Sequence, residues 1–256
     1  MRVIVTRPAA QAADWVAQLR EQGIDAVALP LIGIAPADSG SALEAAWRTL
    51  AQQRLVVFVS PNAAVQFFAR RPNGALWPAG VLAGSPGPGT TRTLVDLGLA
   101  TTQIVEPAAD AAQFDSETLW AQLADRDWQG ARVLIVRGSG GRNWLGDTLR
   151  EQGAKVTALS AYRRVAPEFD ADQAQLLRVA LEQPARHLWF FSSSEAIDNL
   201  AASAPVTGAG VDWGRARAIA THPRIAARAQ RLGFASVSSA RPSLGAIVAC
   251  IQSLRP

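Results

Sequence analysis

Six short stretches hold most of the residues able to do chemistry: Thr6-Arg7-Pro8, Ser60-Pro61-Asn62, Gly87-Pro88-Gly89-Thr90, Arg137-Gly138-Ser139-Gly140, Ser192-Ser193-Ser194 and Thr221-His222-Pro223. Each follows an apolar, β-branched run and precedes a helical pattern. Such a turn leaves backbone N–H groups free at a helix N-terminus, where the dipole favours negative charge. Hydroxyls and glycines allow close approach, and arginines add charge. The chemistry suggested is anion binding, although Ser, Thr and Asn also serve such positions as plain helix caps. A seventh stretch, Leu159-Ser160-Ala161-Tyr162-Arg163-Arg164-Val165-Ala166-Pro167, holds the only tyrosine of the chain. By itself it reads as an edge strand with a half-buried tyrosine.

Other chemistries find little support. The glycine spacing from Gly84 to Thr90 imitates a phosphate loop, but Thr90 stands where the lysine is required. Gly138-Ser139-Gly140 has Asn143 in place of the third small residue of a dinucleotide fingerprint. Two histidines and one cysteine in 256 residues offer no zinc spacing. Cys250 lies in an apolar run and reads as a small core residue. His187 precedes a buried strand and reads as structural. Net charge is +4, carried mostly by dispersed arginines, without the basic stripe of a nucleic-acid binder. The apolar runs are too short to span a membrane, and no export signal leads the first strand. These features point to a cytoplasmic, monomeric protein with a small anionic partner, no nucleic acid and no membrane.

The elements that position the turns alternate strand and helix throughout, the pattern of an α/β fold with parallel sheets. Helices are expected at Ala9 to Gln22, Ala63 to Ala69 and, after a Gly87–Thr90 turn, Thr91 to Leu97. The pattern also repeats. Arg2-Val3-Ile4-Val5-Thr6-Arg7 is echoed by Arg132-Val133-Leu134-Ile135-Val136-Arg137, and Leu19-Arg20-Glu21-Gln22-Gly23 by Leu149-Arg150-Glu151-Gln152-Gly153, each 130 positions on. Phe58-Val59-Ser60-Pro61-Asn62 is matched with Phe190-Phe191-Ser192-Ser193-Ser194. Two linker-like segments, near 30–38 and 160–168, fall at equivalent places. The expectation is two similar doubly wound parallel-sheet domains joined by a two-stranded connector. One is discontinuous, residues 1–35 plus 168–256, and the other is inserted, residues 38–165. Leu159 to Pro167 then becomes half of the connector, with Tyr162 beside a cleft.

Thr6-Arg7-Pro8, Phe58-Val59-Ser60-Pro61-Asn62-Ala63, Gly87-Pro88-Gly89-Thr90, Gly141-Arg142-Asn143-Trp144-Leu145 and Ala161-Tyr162-Arg163-Arg164, in this order, resemble the uroporphyrinogen-III synthase family. The resemblance covers nearly the whole chain. It implies two connected α/β domains and a cyclising lyase that needs neither metal nor organic cofactor. The substrate implied is hydroxymethylbilane, a linear polycarboxylate tetrapyrrole. It loses water, its last ring is inverted through a spiro intermediate, and the macrocycle closes to uroporphyrinogen III. The enzyme that makes the bilane becomes a candidate partner. Tyr162 matches the family's tyrosine, the usual candidate for the acid that assists loss of the hydroxyl. Ser60 and Thr90 match cleft-facing positions. With these, Arg7, Asn62, Gly89, Arg137, Gly138, Ser139, Ser192 and Ser193 make up the expected substrate-binding set. The chain departs from the family at Ala220-Thr221-His222-Pro223-Arg224-Ile225, where many members have a Gly-Pro-Thr-Thr-like turn. His222 or Arg224 is expected to stand in there. The alternative is a two-domain cytoplasmic protein that binds a small anion without catalysis. A third option is a nucleotide-sugar transferase, against which the failed phosphate motifs count.

Overall fold

The computed structural model describes residues 1–37, 40–111, 113–203, 206 and 211–254. The linker-like segment expected near 30–38 therefore ends just outside the described residues. The chain divides into two compact units, one of residues 1–33 with 165–256, the other of residues 34–164.

The first unit is built on a five-stranded sheet. Its strands are β1 (Arg2–Val5), β2 (Ala26–Ala28), β9 (His187–Phe191), β10 (Arg217–Ala220) and β11 (Ser236–Ser239), in the order β11-β10-β9-β1-β2. All four pairings are parallel. β1 and β9 are central, and their side chains from Val3 to Val5 and from His187 to Phe191 are buried. Strands covered on both faces read as unbroken apolar runs, as these do. Helix α1 (Ala9–Glu21) buries Ala12, Val16 and Leu19, an i, i+4, i+7 stripe that packs on Val3, Val5 and Phe190. It stops at Gly23, whose φ of 68° suits glycine alone among the common residues at a helix end. Trp189 and Phe191, two residues apart on β9, stack with their planes 7° apart, and Phe234 meets both edge-on. The unit is completed by α7 (Ala171–Glu182), α8 (Ser194–Ala202), α9 (Pro223–Leu232) and α10 (Leu244–Ser253).

The second unit has a six-stranded sheet of order β3-β8-β7-β4-β5-β6. Its strands are β3 (Gly33–Pro36), β4 (Leu55–Phe58), β5 (Leu82–Gly84), β6 (Ile104–Val105), β7 (Arg132–Gly138) and β8 (Lys155–Val165). β4, β5, β6, β7 and β8 pair in parallel. Its helices are α2 (Gly40–Arg48), α3 (Pro61–Phe68), α4 (Pro88–Asp96), α5 (Ser116–Trp120) and α6 (Trp144–Glu151). Trp47, Phe58, Phe67, Phe68 and Trp77 form an aromatic cluster on one face, with Trp47 stacked on Phe67 at 4.9 Å. Trp128, Leu119, Leu123 and Leu149 fill the other face.

Residues 159–165 belong to β8, which lies between β3 and β7 and not at the sheet edge that the stretch suggests when taken by itself; Ala166 and Pro167 lie beyond the strand. The α4 helix also starts earlier than Thr91. Pro88 occupies its first turn, where the missing N–H costs nothing, so Gly89 and Thr90 are helical.

In each sheet the strand order reverses once, between β1 and β9 in the first unit and between β7 and β4 in the second. Ligands of open α/β sheets sit beyond the carboxyl ends of the strands at such reversals.

Candidate active site

At the reversal of the second unit, β4 ends in Phe58 and Val59, and Ser60 caps α3. Its Oγ accepts a hydrogen bond from the Ala63 N–H at 3.2 Å. The neighbouring strand β7 ends in Arg137 and Gly138. Beside it, β8 carries one extra residue: Arg137 pairs with Ser160, but Gly138 pairs with Tyr162. The bulge re-aims the side chains, so that Ala161 and Tyr162, successive in sequence, are both buried in one core cluster. The strict alternation expected of a strand fails here for that reason.

Tyr162 is consequently 1% exposed. Its ring lies across Gly138 so closely that a Cβ on that glycine would fall 2.9 Å from Cζ. The hydroxyl emerges on the far side of β7 and lies 3.0 Å from Ser60 Oγ. The Ser139 N–H donates to the Tyr162 carbonyl at 2.8 Å and closes the bulge. The tyrosine is therefore fully buried, where the sequence suggested a half-buried one. Half-buried Ser60 is the more accessible member of the pair.

Helix α4 begins beside α3, with Gly89 close enough that a Cβ would touch Pro61 Cγ at 3.8 Å. Two helix N-termini thus lie together. Asn62 is half-buried in the first turn of α3, and Gly89 is exposed. Thr90 is buried, contrary to its expected outward position, because it lies within the helix rather than in a turn before it. The buried Ser85 hydroxyl donates to the Gly87 carbonyl at 2.8 Å, and the Thr91 hydroxyl contacts Glu106 Oε2 at 2.6 Å. Arg137 donates through Nη1 to Asn143 Oδ1 at 2.7 Å, and Ser139 is exposed.

At the reversal of the first unit, the buried Thr6 hydroxyl donates to the Phe190 carbonyl at 2.8 Å. Arg7 follows. Its Nη1 donates to Gln11 Oε1 at 3.2 Å, and its guanidinium lies 5.3 Å from the Trp15 ring centroid. Its Nε is sealed from solvent with no hydrogen-bond partner. Burial pushes this guanidinium down to about 10, still a cation at neutral pH. Ser192 and Ser193 are half-buried, and Ser193 is the N-cap residue of α8 without making a side-chain cap. Since Val133 pairs with Leu55 and Val3 with Leu188, Ser193 and not Ser192 is the counterpart of Ser60. Aligning the phenylalanines of the two strands instead pairs Ser60 with Ser192, one residue before the cap. His222 caps α9, its Nδ1 accepting the Arg224 N–H at 3.1 Å, and the Arg224 side chain is exposed.

Two features of these sites escaped the sequence, the bulge and the amide seats of the two arginines. The bulge at Ala161 has no composition of its own. Gln11 and Asn143 seat the two arginines, and their one signal is an amide residue four or six positions after a strand-end arginine. His187 is structural as read, its Nδ1 lying 3.0 Å from the Gln183 carbonyl. Among the described residues no group of three His, Cys, Asp or Glu side chains could hold a metal ion, and no helix is long and apolar enough to cross a membrane.

Fold and site together define a two-unit α/β protein with a hydroxyl pair at one sheet reversal and a half-buried arginine at the other. The family model described as uroporphyrinogen-III synthase HemD matches residues 13–249, and the chain belongs to that family. It is 31% identical to the uroporphyrinogen-III synthase of Escherichia coli K12 over 173 residues, 66% of this chain and 68% of that protein. The Synechococcus elongatus enzyme of the same name is 28% identical over 216 residues, 82% of this chain and 77% of the relative. The fold resembles the crystal structure of uroporphyrinogen-III synthetase from Helicobacter pylori, with a TM-score of 0.57, 17% identity and full coverage of both chains. It also resembles a mutant uroporphyrinogen III synthase from Thermus thermophilus, with a TM-score of 0.56, 16% identity and coverage of 99% and 98%.

Proposed function

We propose that this protein is a uroporphyrinogen-III synthase acting on hydroxymethylbilane, and that the Ser60–Tyr162 pair is its proton-handling group. The observation that carries the residue-level reading is the 3.0 Å contact between the two hydroxyls. The family match supports the reaction itself.

Loss of water from the hydroxymethyl carbon is the first chemical demand. The pyrrole nitrogen pushes electron density toward that carbon while the departing oxygen takes up a proton. An acid at hydrogen-bond distance contributes typically about 10²–10⁴-fold to such a step. Ser60 gives its proton to the leaving oxygen and takes the Tyr162 proton in its place. The buried phenol thus acts through the serine. The azafulvene cation left behind closes through the spiro intermediate. The ring carbon that forms the last bond gives up a hydrogen, and the pair is reprotonated. Folding one end of the chain onto the other is a matter of positioning, in which well-oriented groups gain several kcal/mol.

The adjacent starts of α3 and α4, with Asn62 and Gly89, supply N–H donors for substrate carboxylates, as helix N-termini do for anions. On this reading Ser139, Ser192, Ser193, His222 and Arg224 contribute further polar contacts from strand ends, and Thr90 shapes the start of α4 from within. The protein works as a cytoplasmic monomer supplied by the bilane-forming enzyme, without a cofactor. Purified protein incubated with hydroxymethylbilane, followed by oxidation and chromatographic separation of isomers, tests the proposal. The expected product is the type III isomer. The spontaneous type I isomer alone refutes it.

A further inference from the structure

The internal repeat places Arg7 and Arg137 at equivalent positions, each at the carboxyl end of the strand that lies at a sheet reversal. Both are held in the same manner. Arg7 donates Nη1 to the side-chain oxygen of Gln11, and Arg137 donates Nη1 to that of Asn143, at 3.2 and 2.7 Å. Each seat is a neutral amide. Among the described residues neither arginine forms an ion pair, whereas Arg2, Arg70, Arg142, Arg150 and Arg228 all do. A buried or half-buried guanidinium ordinarily finds a carboxylate, because an unpaired charge away from water is costly. An amide fixes direction without cancelling charge.

Arg7 is the stronger case. Its Nε is sealed and unpartnered, Nη1 is bonded to Gln11, and Cζ lies 5.3 Å from the Trp15 ring centroid, which leaves Nη2 without a protein partner among the described residues. The guanidinium lies beside the first turn of α1, which has Pro8 at its cap, no side-chain cap and no acidic residue. The first N–H groups of that helix are therefore also unmet by side chains. The equivalent helix α6 carries Asp147 in its first turn. α8, on the other side of the reversal, carries Glu195.

We infer that Arg7, with the first turn of α1, is a carboxylate-binding site of the first unit, and that Arg137 is its weaker counterpart in the second. The ligand class is an acetate or propionate side chain of the substrate. This rests on the proposed function for the ligand's identity but not for its chemistry. The Arg7 guanidinium donates a charge-assisted hydrogen bond from Nη2, the nitrogen that is neither sealed nor bonded to Gln11, to one carboxylate, an interaction that binds ground state and transition state alike.

The Nε–H resonance of Arg7, assigned by its loss in Arg7→Lys, is followed by NMR as sodium propionate is added, with sodium chloride as control. A saturable shift with propionate alone is expected. No shift overturns the inference. In parallel, Arg7→Met is expected to raise KM for the bilane about tenfold while kcat stays within about threefold, the mark of lost uniform binding. Arg7→Lys is expected to fall between. The Arg7→Met protein is also expected to melt no lower than the parent, because it loses a buried charge that no protein group compensates. A fall in Tm with KM unchanged makes Arg7 structural and overturns the inference. If the parent makes no type III isomer yet the Arg7 signal shifts, the enzymatic reading falls and the carboxylate site stands. The reverse pattern removes the site and leaves the enzyme.

Discussion

The hydroxyl of Tyr162 reaches Ser60 only by passing over Gly138, the one residue of β7 that pairs with it. Three strands thus build one contact: β8 supplies the phenol, β7 the gap, and the end of β4 the serine. Ser60 has two tasks, because the same oxygen accepts the Ala63 N–H that starts α3.

Tyr162→Phe removes the hydroxyl and keeps the ring on Gly138. Stability is expected to fall by about 1 kcal/mol, the usual net worth of such a bond. Ring closure is expected to slow about 100-fold, the low end of the range for a lost general acid. Ser60→Ala is expected to slow it similarly and to cost a further ~1 kcal/mol through the lost cap. The double variant is expected to be no slower than the worse single one, because groups that act as a unit are not additive. Initial rates of type III isomer formation and denaturant titrations read both effects.

Gly138→Ala forces a methyl to within 2.9 Å of the Tyr162 ring. Neither the buried ring nor the strand can yield freely, so a loss of about 1–3 kcal/mol is expected, as for other overpacked sites. Combining it with Tyr162→Leu is expected to restore part of that loss. Gly89→Ala meets only ordinary contact at 3.8 Å and lies within a helix, so it is expected to be neutral or to gain up to about 1 kcal/mol. Thermal melts of the four proteins check the ranking.

Thr6→Val keeps the shape of the side chain and deletes the hydroxyl donated to the Phe190 carbonyl at 2.8 Å. That carbonyl retains only the longer bond from the Thr6 N–H at 3.3 Å. A loss of about 1 kcal/mol is expected by urea titration.

Burial raises the Cys250 thiol, while a bond to Ser238 opposes it. The folded protein therefore holds this proton to higher pH than the unfolded chain, whose thiol ionises near about 8.5. The unfolded state sheds the proton first, so stability is expected to fall as pH rises from the unfolded pKa to the folded one. Cys250→Ala is expected to abolish that part of the alkaline slope, and the parent thiol is expected to react with Ellman's reagent more slowly than a free cysteine.

Much of this fold could be read from periodicity alone. Val3-Ile4-Val5 and Val133-Leu134-Ile135-Val136 are apolar without alternation, and that is how a strand buried on both faces must look. The 130-residue repeat made β1 and β7 equivalents, which their registers with β9 and β4 agree with. The site was less legible. Whether Tyr162 pointed outward depended on a single inserted residue, Ala161, which no local propensity marks. Whether Ser192 or Ser193 matched Ser60 depended on where a helix began, and three consecutive serines cap equally well. Arg7 was visible as a charge, but its lack of an acid partner depends on residues distant in sequence.

The first unit's sheet joins residues from opposite ends of the chain: Arg2 pairs with His187. The second unit is continuous, residues 34–164. During synthesis, β1 and β2 leave the ribosome long before β9 exists and have no third strand to complete their sheet, and a lone strand pair is marginal in water. The inserted unit meets no such delay. It closes on contacts of shorter sequence separation, and domains generally fold as units in order of completion. The N-terminal segment thus waits as an unpaired apolar edge until the C-terminal half arrives. The last part of the chain to be made decides when the first part folds.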